Sequence, residues 1–477
     1  MAIAGKIAYN FIVSSLGRAI GLFFSLATIA FAARALSVSG YGQYSTISAF
    51  LFLFLGIADL GLYSLMLREI SKPGADEKYI TGTFFTLRLI SSIAFLGAAS
   101  LLVLFFPYQW EIKAGVGFCS LGFIFLSLSQ ILMPIFQKYL RTDRAALSEV
   151  LGRFIQLLMA IMFFKMGLGL FWFLFAMISS SALTFFLNLF FARKYVLFSL
   201  NFDQKYFREI LRLTYPIALS IIFTMVYFRG NTILLSVLKS QKDVGIFNLG
   251  YKVLDNLAFF PAVLVGLMMP ILSYYAVKDI KTFCGMFQKS FNILATGAIP
   301  LFFGGIFASP LIVMILGGRD FRPAVFPLQI LILSTVFIFF GNLTGNSLIA
   351  LHRQKDLIWI YFFGAIFGIA TNLLLIPGYS YIGTALSSLF TEFFVTALMF
   401  AAIFKTVRWF PSLKLLPKIF FASFLMCLPL IFTLKFGSPL VLLILYGLSI
   451  FIYFTTLYFL KGISKDEILS LVKIKND

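Results

Sequence analysis

The sequence predicts an all-α fold, a polytopic membrane protein of about 14 transmembrane helices in two six-helix lobes with two additional C-terminal helices. First, 61% of the 477 residues are hydrophobic and only 12% are charged, whereas soluble domains are about 45–50% apolar and about 25% charged. Second, apolar runs of about 20 residues, the length that crosses the hydrocarbon core as a helix, recur along the chain. Third, the alternation of a transmembrane β-barrel is absent. Water-soluble classes of protein are therefore excluded.

The predicted spans follow one another with short loops, the longest of which covers residues 192–212. A first lobe over residues 1–200 contains the spans 10–33, 43–66, 80–106, 115–135, 146–166 and 168–191. A second lobe over residues 201–410 contains the spans 213–238, 246–277, 291–316, 325–350, 357–376 and 382–404. Residues 411–477 contain two extra spans, 416–434 and 439–460, and a cytoplasmic tail. Since no loop is long enough for a soluble domain, we expect the function to reside in the helices.

Two polar segments are predicted to form short helices at the membrane surface. Residues 201–212 read NFDQKYFREILR, with Asn201 or Asp203 suited to cap the first turn. The tail begins with Ser464 and Glu467, which have the spacing of a capping box. Apolar residues follow in both segments, so we expect each to lie with one face on the bilayer.

The positions of the basic residues predict an orientation in the membrane. The chain has 38 Lys and Arg against 18 Asp and Glu. When the loops are assigned alternately to two sides, 25 basic residues fall on the side of both termini, 8 on the other side and 5 within spans. Cytoplasmic loops are enriched in Lys and Arg, so both termini are predicted to be cytoplasmic. Because the basic residues are spread over eight short segments, the net charge of +20 does not indicate nucleic acid as a partner.

A weak internal repeat relates the two predicted lobes. The first span ends in a polar turn followed by Gly42 and Tyr44, and the seventh span ends in a similar turn followed by Gly245 and Phe247. The offset is about 200 residues, or six spans. Repeated halves around a central binding site are usual in secondary transporters, and this pattern therefore favours a transporter.

Eight charged residues within predicted spans are candidates for a functional role, because a charge there normally faces a partner or an aqueous cavity. Five are cations and three are acids, so two cations would remain if every acid were paired. Arginine binds phosphate through parallel hydrogen bonds, and an excess of such cations indicates an anionic substrate. Arg18 and Arg229 lie in the first helix of each lobe, where they are suited to bind a diphosphate together. The eight residues are Arg18, Asp59, Arg88, Arg153, Arg229, Lys252, Asp255 and Glu392.

Four of these residues also have a structural interpretation. Arg153 lies one or two turns from the cytoplasmic end of its span, from which a long side chain reaches the interface. Lys252 and Asp255 are three residues apart, a spacing that favours an ion pair on one helix face. Glu392 is placed to pair with a neighbouring Thr or Lys. We therefore assign these four residues, together with Asp59, to gating or ion pairing.

The remaining candidates are favoured as parts of a substrate-binding cavity. Arg18, Arg88 and Arg229 are the predicted diphosphate ligands. Asp59 has two interpretations, a structural pair with Arg18 or Arg88 and a role in gating. Asn231 is suited to hydrogen-bond a sugar, and a polar side chain at this depth serves equally to join two helices.

Motifs for catalysis and for bound cofactors are absent from the sequence. There is no GxxxxGK[ST] loop for ATP, so movement is driven by a gradient, by the substrate's own gradient, or not actively at all. A single histidine, His352, excludes a multi-histidine metal site within the chain, and no Ser-His-Asp or HExxH arrangement occurs. We expect no cofactor, no metal and no enzyme activity, with a membrane-embedded glycan polymerase or transferase as the alternative from another class.

Two motifs stand out in the first 72 residues, ARALSVSGYGQYS at 33–45 and LGIADLGLYSLMLREISK at 55–72. They resemble the polysaccharide transporter family, the O-antigen and lipid-linked oligosaccharide flippases of bacterial inner membranes. The second half adds LRLTYPIALS at 211–220, YFRGNTILLS at 227–236 and VGIFNLGYKVLDN at 244–256. The resemblance implies alternating-access translocation of an undecaprenyl-diphosphate-linked O-antigen, capsule or exopolysaccharide repeat unit. It also implies the bilayer and other polysaccharide assembly proteins as partners.

The sequence departs from its wider superfamily at two places. Family members often have an acid two residues after the seventh-span arginine, where this chain has Asn231, and this puts proton or cation coupling at that position in doubt. Lipid II flippases have a second Arg-Asp after the first-helix arginine, where this chain has Leu22, Phe23 and Phe24. An excess of cavity cations fits the cationic drugs of multidrug and toxin extrusion proteins poorly. A lipid II flippase and a cation-coupled exporter are therefore the alternatives.

Overall fold

In the computed structural model, the residues described are 3–431 and 439–462, and within them the chain forms helices and no strand. Eleven of these helical segments are long and apolar enough to cross a membrane. Two shorter apolar helices, Leu416–Ile431 and Ile444–Phe459, lie near the C-terminus. The predicted all-α, multi-pass membrane fold is thus confirmed.

The first half of the chain forms eight helices, since two of the predicted spans are each divided in two. They are α1 (Ile3–Ala35), α2 (Ser37–Asp59), α3 (Leu62–Ile70), α4 (Glu77–Leu102), α5 (Trp110–Ile131), α6 (Met133–Lys138), α7 (Thr142–Lys165) and α8 (Leu170–Ala192). The second span breaks between α2 and α3, where Leu60 and Gly61 have φ of 50° and 75°. A left-handed pair of residues cannot continue an α-helix, so Asp59 stands at a helix end inside the apolar segment.

The second half also forms eight helices. They are α9 (Gln204–Leu238), α10 (Gln241–Leu257), α11 (Phe259–Lys278), α12 (Ile280–Leu316), α13 (Val325–Ala350), α14 (Gln354–Val407), α15 (Leu416–Ile431) and α16 (Pro439–Phe459). The predicted eleventh and twelfth spans both lie in α14, which changes direction at Ser380 (φ 47°, ψ −128°). Short 3-10 helices at Val103–Phe105 and Arg319–Ala324 complete the described elements.

The helix predicted at 201–212 is not a separate element, and this prediction is wrong in that respect. Asp203 caps α9 by accepting hydrogen bonds from the backbone N–H of Lys205 and of Tyr206, at 2.9 and 3.0 Å. Residues 204–213 contain no glycine or proline, so nothing ends the helix before the apolar segment begins. A hydrogen bond from Tyr79 and these backbone bonds lower the pKa of the Asp203 carboxyl. The helix predicted in the tail lies outside the described residues.

Two compact units can be distinguished in the chain. The first contains Met1–Leu249, Met314–Ala324 and Tyr361–Ser387, and the second contains Gly250–Val313, Val325–Ile360 and Ser388–Asp477. In the first unit, one buried apolar cluster forms around α3, α4 and α6, and another forms around α2, α5 and α8. In the second unit, α12, α15 and α16 share a buried cluster. The lobe boundaries at 1–200, 201–410 and 411–477 stay a prediction.

Candidate functional site

A buried ion pair joins the end of α2 to the middle of α4. The guanidinium Nη1 of Arg88 lies 2.5 Å from Oδ1 of Asp59. Its Nη2 donates to Oε1 of Gln130 at 3.0 Å, and its Nε donates to the carbonyl of Ser127 at 3.3 Å. The Arg88 side chain has no exposed surface, and 18% of the Asp59 side chain is exposed. Of the two partners considered for Asp59, the structure pairs it with Arg88.

The surroundings of Arg88 satisfy its charge within the protein. Besides the Arg88 pair, Asp59 accepts a hydrogen bond from the backbone N–H of Gly61 at 3.2 Å. The hydroxyls of Ser92 and Ser127 bond to each other at 2.6 Å beside the guanidinium. A buried cation that already has three acceptors has no free face for a ligand in this conformation. The assignment of Arg88 as a diphosphate ligand therefore stays a prediction. In this conformation its guanidinium is bonded to protein acceptors instead.

Arg229 lies against an aromatic ring. Its guanidinium carbon is 5.0 Å from the ring centroid of Phe52, which belongs to α2. This is the distance of a cation–π contact, in which the flat guanidinium rests on the ring face. Sequence reasoning did not select Phe52, because nothing in the sequence distinguishes it among the 62 phenylalanines of the chain.

Arg18 lies on α1 and Arg153 lies on α7, two helices that pack against each other, and the two arginines differ in their partners. Arg153 Nη2 lies 2.7 Å from Oε1 of Glu149, and its Nη1 donates to the carbonyl of Gly21 at 3.2 Å. Arg18, one turn before Gly21, is exposed, and within residues 3–431 and 439–462 it has no ion pair and no hydrogen bond from its side chain. Arg153 is thus neutralised locally, whereas the charge of Arg18 is not.

Asn231 forms part of a neutral pair between α9 and α14. Its Oδ1 accepts a hydrogen bond from Nδ2 of Asn372 at 2.6 Å. Asn372 is only 1% exposed and also donates to the carbonyl of Gly368 at 2.7 Å. An acid at position 231 would bring a negative charge into the unit, whereas the pair of amides is neutral. Sequence reasoning selected Asn231 and did not identify Asn372 as its partner.

The three remaining candidates belong to the second compact unit. Lys252 Nζ and Asp255 Oδ2 are 3.8 Å apart on α10, as their spacing predicts. Glu392 is half-buried on α14. The other six candidates lie in the first unit, where Asp59 and Arg88 form an ion pair. Among the described residues, no three His, Cys, Asp or Glu side chains gather into a group that would hold a metal ion.

The glycines of the internal repeat are in contact with each other in the first unit. A Cβ on Gly42 would lie 1.8 Å from the carbonyl oxygen of Gln241, and one on Gly245 would lie 2.1 Å from that of Val38. Only glycine permits so close an approach of two backbones. Thr46 adds a hydrogen bond from its Oγ1 to Oε1 of Gln241 at 2.8 Å. We call this contact of α2 with α10 the repeat contact.

Further contacts within the first unit also join the two halves of the sequence. Arg34 at the end of α1 donates to the carbonyl of Ile315 at 2.7 Å, near the end of α12. A cation at the C-terminus of a helix is stabilised by its unpaired carbonyls. The hydroxyls of Tyr108 and Ser236 are 2.7 Å apart, and burial raises the pKa of Tyr108 to about 12. These residues lie at helix ends on the side opposite to the predicted cytoplasmic loops.

Known structures share this fold. A lipid II flippase MurJ in an inward closed conformation has a TM-score of 0.76 and 18% identity over 93% of this chain and 98% of its own. An inward-facing multidrug resistance MATE family transporter has a TM-score of 0.65 and 13% identity over 83% and 98%. A transporter of the same superfamily from Pyrococcus furiosus has a TM-score of 0.54 and 14% identity over 84% of this chain and 95% of its own. The chain thus has the fold of this class of polytopic transporters and flippases.

Sequence comparison identifies the family. The family model described as polysaccharide biosynthesis protein matches residues 31–326. The chain belongs to this family, which confirms the resemblance found in its first 72 residues. No curated protein matches the chain.

Proposed function

We propose that this protein is a flippase for undecaprenyl-diphosphate-linked oligosaccharide, an O-antigen or a capsule or exopolysaccharide repeat unit. Family membership and a fold similar to that of flippases and exporters support a transporter in polysaccharide biosynthesis. The single observation that carries the choice of an anionic lipid is Arg18. It is an exposed cation in an apolar helix, and it has no acidic partner in the part of the chain that the structure describes.

In this proposal Arg18 and Arg229 bind the diphosphate. Arg229 makes a cation–π contact with Phe52, and the planar guanidinium carries its N–H donors in a fork that matches the oxygens of a phosphate. That geometry suits bidentate bonds to phosphate oxygens. Arg88 acts indirectly, because its ion pair fixes Asp59 at the end of α2, the helix that also presents Phe52.

Translocation follows alternating access in this proposal. The repeat contact and the Arg34 bond to the end of α12 hold the external side closed, and they must break for that side to open. Substrate shifts this equilibrium only as far as it binds the two conformations differently. The neutral pair of Asn231 and Asn372 has no charge for a proton or sodium ion to neutralise, so we propose that no cation is coupled there.

The protein is proposed to lie in the bacterial inner membrane with both termini in the cytoplasm. The 25 to 8 distribution of basic residues supports this orientation. Its partners would be the lipid-linked oligosaccharide, the bilayer and other polysaccharide assembly proteins. A lipid II flippase is the second candidate, favoured by the fold of the MurJ structure and disfavoured by Leu22, Phe23 and Phe24.

The experiment uses arginine variants in a strain that lacks the chromosomal gene. Arg18→Ala combined with Arg229→Ala should abolish surface glycan, because no cation remains to bind the diphosphate. The two lysine replacements should retain part of the export, since lysine keeps the charge without the bidentate geometry. Arg208→Ala, an exposed residue of the same charge on α9, is the matched control and should display normal glycan.

The same strains distinguish a flippase from the enzyme alternative. Loss of a flippase leaves lipid-linked units in the cytoplasmic leaflet, whereas loss of a polymerase leaves unpolymerised units outside the cell. Normal glycan display without both arginines would contradict the assignment of the cavity cations.

A further inference from the structure

An apolar groove runs along α14 in the second compact unit, and we call it the phenylalanine groove. Its cavity has a volume of about 750 Å³, and seven of its eleven lining residues are phenylalanines contributed by α12, α13, α14 and the segment after α14. Thr396 has the one polar side chain in the lining, and its Oγ1 donates to the carbonyl of Phe337 at 3.1 Å. The wall therefore presents hydrocarbon to whatever occupies the groove.

The residue spacing on α14 gives the groove its direction and its length. Phe393, Ala397, Ala401 and Lys405 follow one another at intervals of four, so they share one face of the helix. The two alanines leave a floor between larger neighbours. From Phe393 to Phe404 the helix rises about 16 Å, which is about half of the 30 Å hydrocarbon core. Phe393 and Phe404 are 55% and 52% exposed, so the groove is open along its side.

Three cations surround the end of this groove. Lys405 is the next residue of the same helix face, and Arg408 and Lys414 lie in the segment that also supplies the lining residues Phe410 and Leu413. All three cations are exposed, and in residues 3–431 and 439–462 none has an ion pair or a side-chain hydrogen bond. Residues 393–462 contain no Asp or Glu, so this part of the chain adds only positive charge to the end of the groove.

The cationic segment is held in place by contacts with α12 and α14. The Gln288 side chain accepts a hydrogen bond from the backbone N–H of Ser412 at 2.6 Å and donates to its carbonyl at 3.0 Å. The ring of Trp409 lies 6.0 Å from that of Phe287, and the ring of Phe410 lies 5.8 Å from that of Phe400. The end of the groove is thus a fixed surface rather than a free loop.

We propose that the phenylalanine groove binds an anionic glycerophospholipid of the bilayer. One acyl chain would lie on Ala397 and Ala401, and the phosphate would contact Lys405, Arg408 and Lys414. The depth of one leaflet matches the length of such a chain, and three cations without an acid favour a net negative headgroup over a zwitterionic one. The proposal is independent of the transported substrate. Its one link to the proposed function is the orientation, which places the three cations at the cytoplasmic leaflet.

Native mass spectrometry of the purified full-length protein tests this site with phosphatidylglycerol and phosphatidylcholine of equal chain length. The wild type should retain phosphatidylglycerol in preference. Lys405→Gln with Arg408→Asn should weaken its retention by about 10- to 30-fold, since each cation near a headgroup contributes about fivefold. Asparagine is chosen at position 408 because Arg408 has a φ of 50°, a left-handed conformation that asparagine adopts more readily than most residues. Lys278→Gln with Lys281→Gln is the matched control and should retain the lipid normally.

A second variant tests the apolar part of the groove. Ala397→Leu with Ala401→Leu fills the floor and should reduce the retention of both lipids, while the monodispersity and thermal unfolding of the protein stay as in the wild type. Three results would overturn the proposal. They are unchanged retention of phosphatidylglycerol by the cation variant, an equal loss in the lysine control, and retention of undecaprenyl phosphate in place of phosphatidylglycerol when both are offered.

Discussion

Arg88 and Arg18 both stand inside apolar helices of the first unit, and their surroundings differ completely. Arg88 has Asp59 and Gln130 as partners and no exposed surface. Arg18 is exposed and lacks such partners among the described residues. Since a charge buried in protein must be paired whereas an exposed one is available to a ligand, we propose that the two arginines have separate tasks.

Removing Asp59 should destabilise the protein strongly. Asp59→Ala leaves the buried guanidinium of Arg88 without its counter-ion, and the free energy of unfolding should fall by about 3–5 kcal/mol. The double variant with Arg88→Met should recover most of this loss, because the charge is removed together with its partner. Unfolding in SDS, monitored by circular dichroism, measures the free energy of unfolding of both variants.

The control for this prediction is an exposed pair. Asp356→Ala breaks the ion pair with Arg353, whose side chain is 46% exposed, and should change stability by only about 0–1 kcal/mol. Equal losses for Asp59→Ala and Asp356→Ala would show that the buried pair contributes no more than a surface pair.

The sequence identifies charged residues in spans, and it identifies a partner only where both residues share one helix. It allowed Asp59 to pair with Arg18 or Arg88, and it predicted the pair of Lys252 and Asp255 because those two share one helix. Partners on different helices depend on where the helices cross, which no local spacing contains. Phe52 beside Arg229 was missed for this reason.

At the scale of helices, hydropathy located the apolar spans and missed their interruptions. The break after Asp59 lies inside a segment that remains apolar, so a hydropathy window crosses it without a change. The turn at Ser380, in contrast, falls between the predicted spans 357–376 and 382–404. The opposite error occurred at α9, where a polar segment was separated from the span that it continues. Backbone conformation and hydropathy are independent signals at Asp59 and at the start of α9.

The repeat contact gives the weak internal repeat a physical meaning. The sequence showed two similar Gly-x-aromatic turns about 200 residues apart. The structure places Gly42 and Gly245 against each other, with α2 and α10 meeting near their first turns. Two related turns that pack together are the arrangement expected of repeated halves. The close approach of the two backbones explains why both positions are glycine.

Cross-linking the repeat contact should arrest export. Thr46→Cys with Gln241→Cys, joined by a short reducible thiol linker, would fix α2 to α10 and prevent the external side from opening. Export should stop on cross-linking and resume on reduction. Gln43→Cys with Gln109→Cys is the matched control, because those side chains are also in contact, at 3.0 Å, and both belong to the first half of the chain. Full cross-linking without loss of export would refute the gating role.

At the scale of the whole molecule, composition and charge predicted the class of protein. The low charge content and recurring apolar runs predicted a multi-pass helical protein, and the structure and the family confirm that class. The excess of basic residues mostly reflects orientation, since 25 of 38 lie on one predicted side. In our proposal the substrate is bound by a few cations inside the membrane, and neither fold nor composition specifies what they bind.

Translocation of a diphosphate-linked glycan is the central claim, and reconstitution tests it most directly. Purified protein in liposomes should move a fluorescent undecaprenyl-diphosphate oligosaccharide between leaflets, as reported by quenching from outside with dithionite. Protein-free liposomes and the double variant Arg18→Ala with Arg229→Ala should show no such movement. Absence of movement by the wild type, together with cation-driven export of a small organic dye from the same liposomes, would contradict the account.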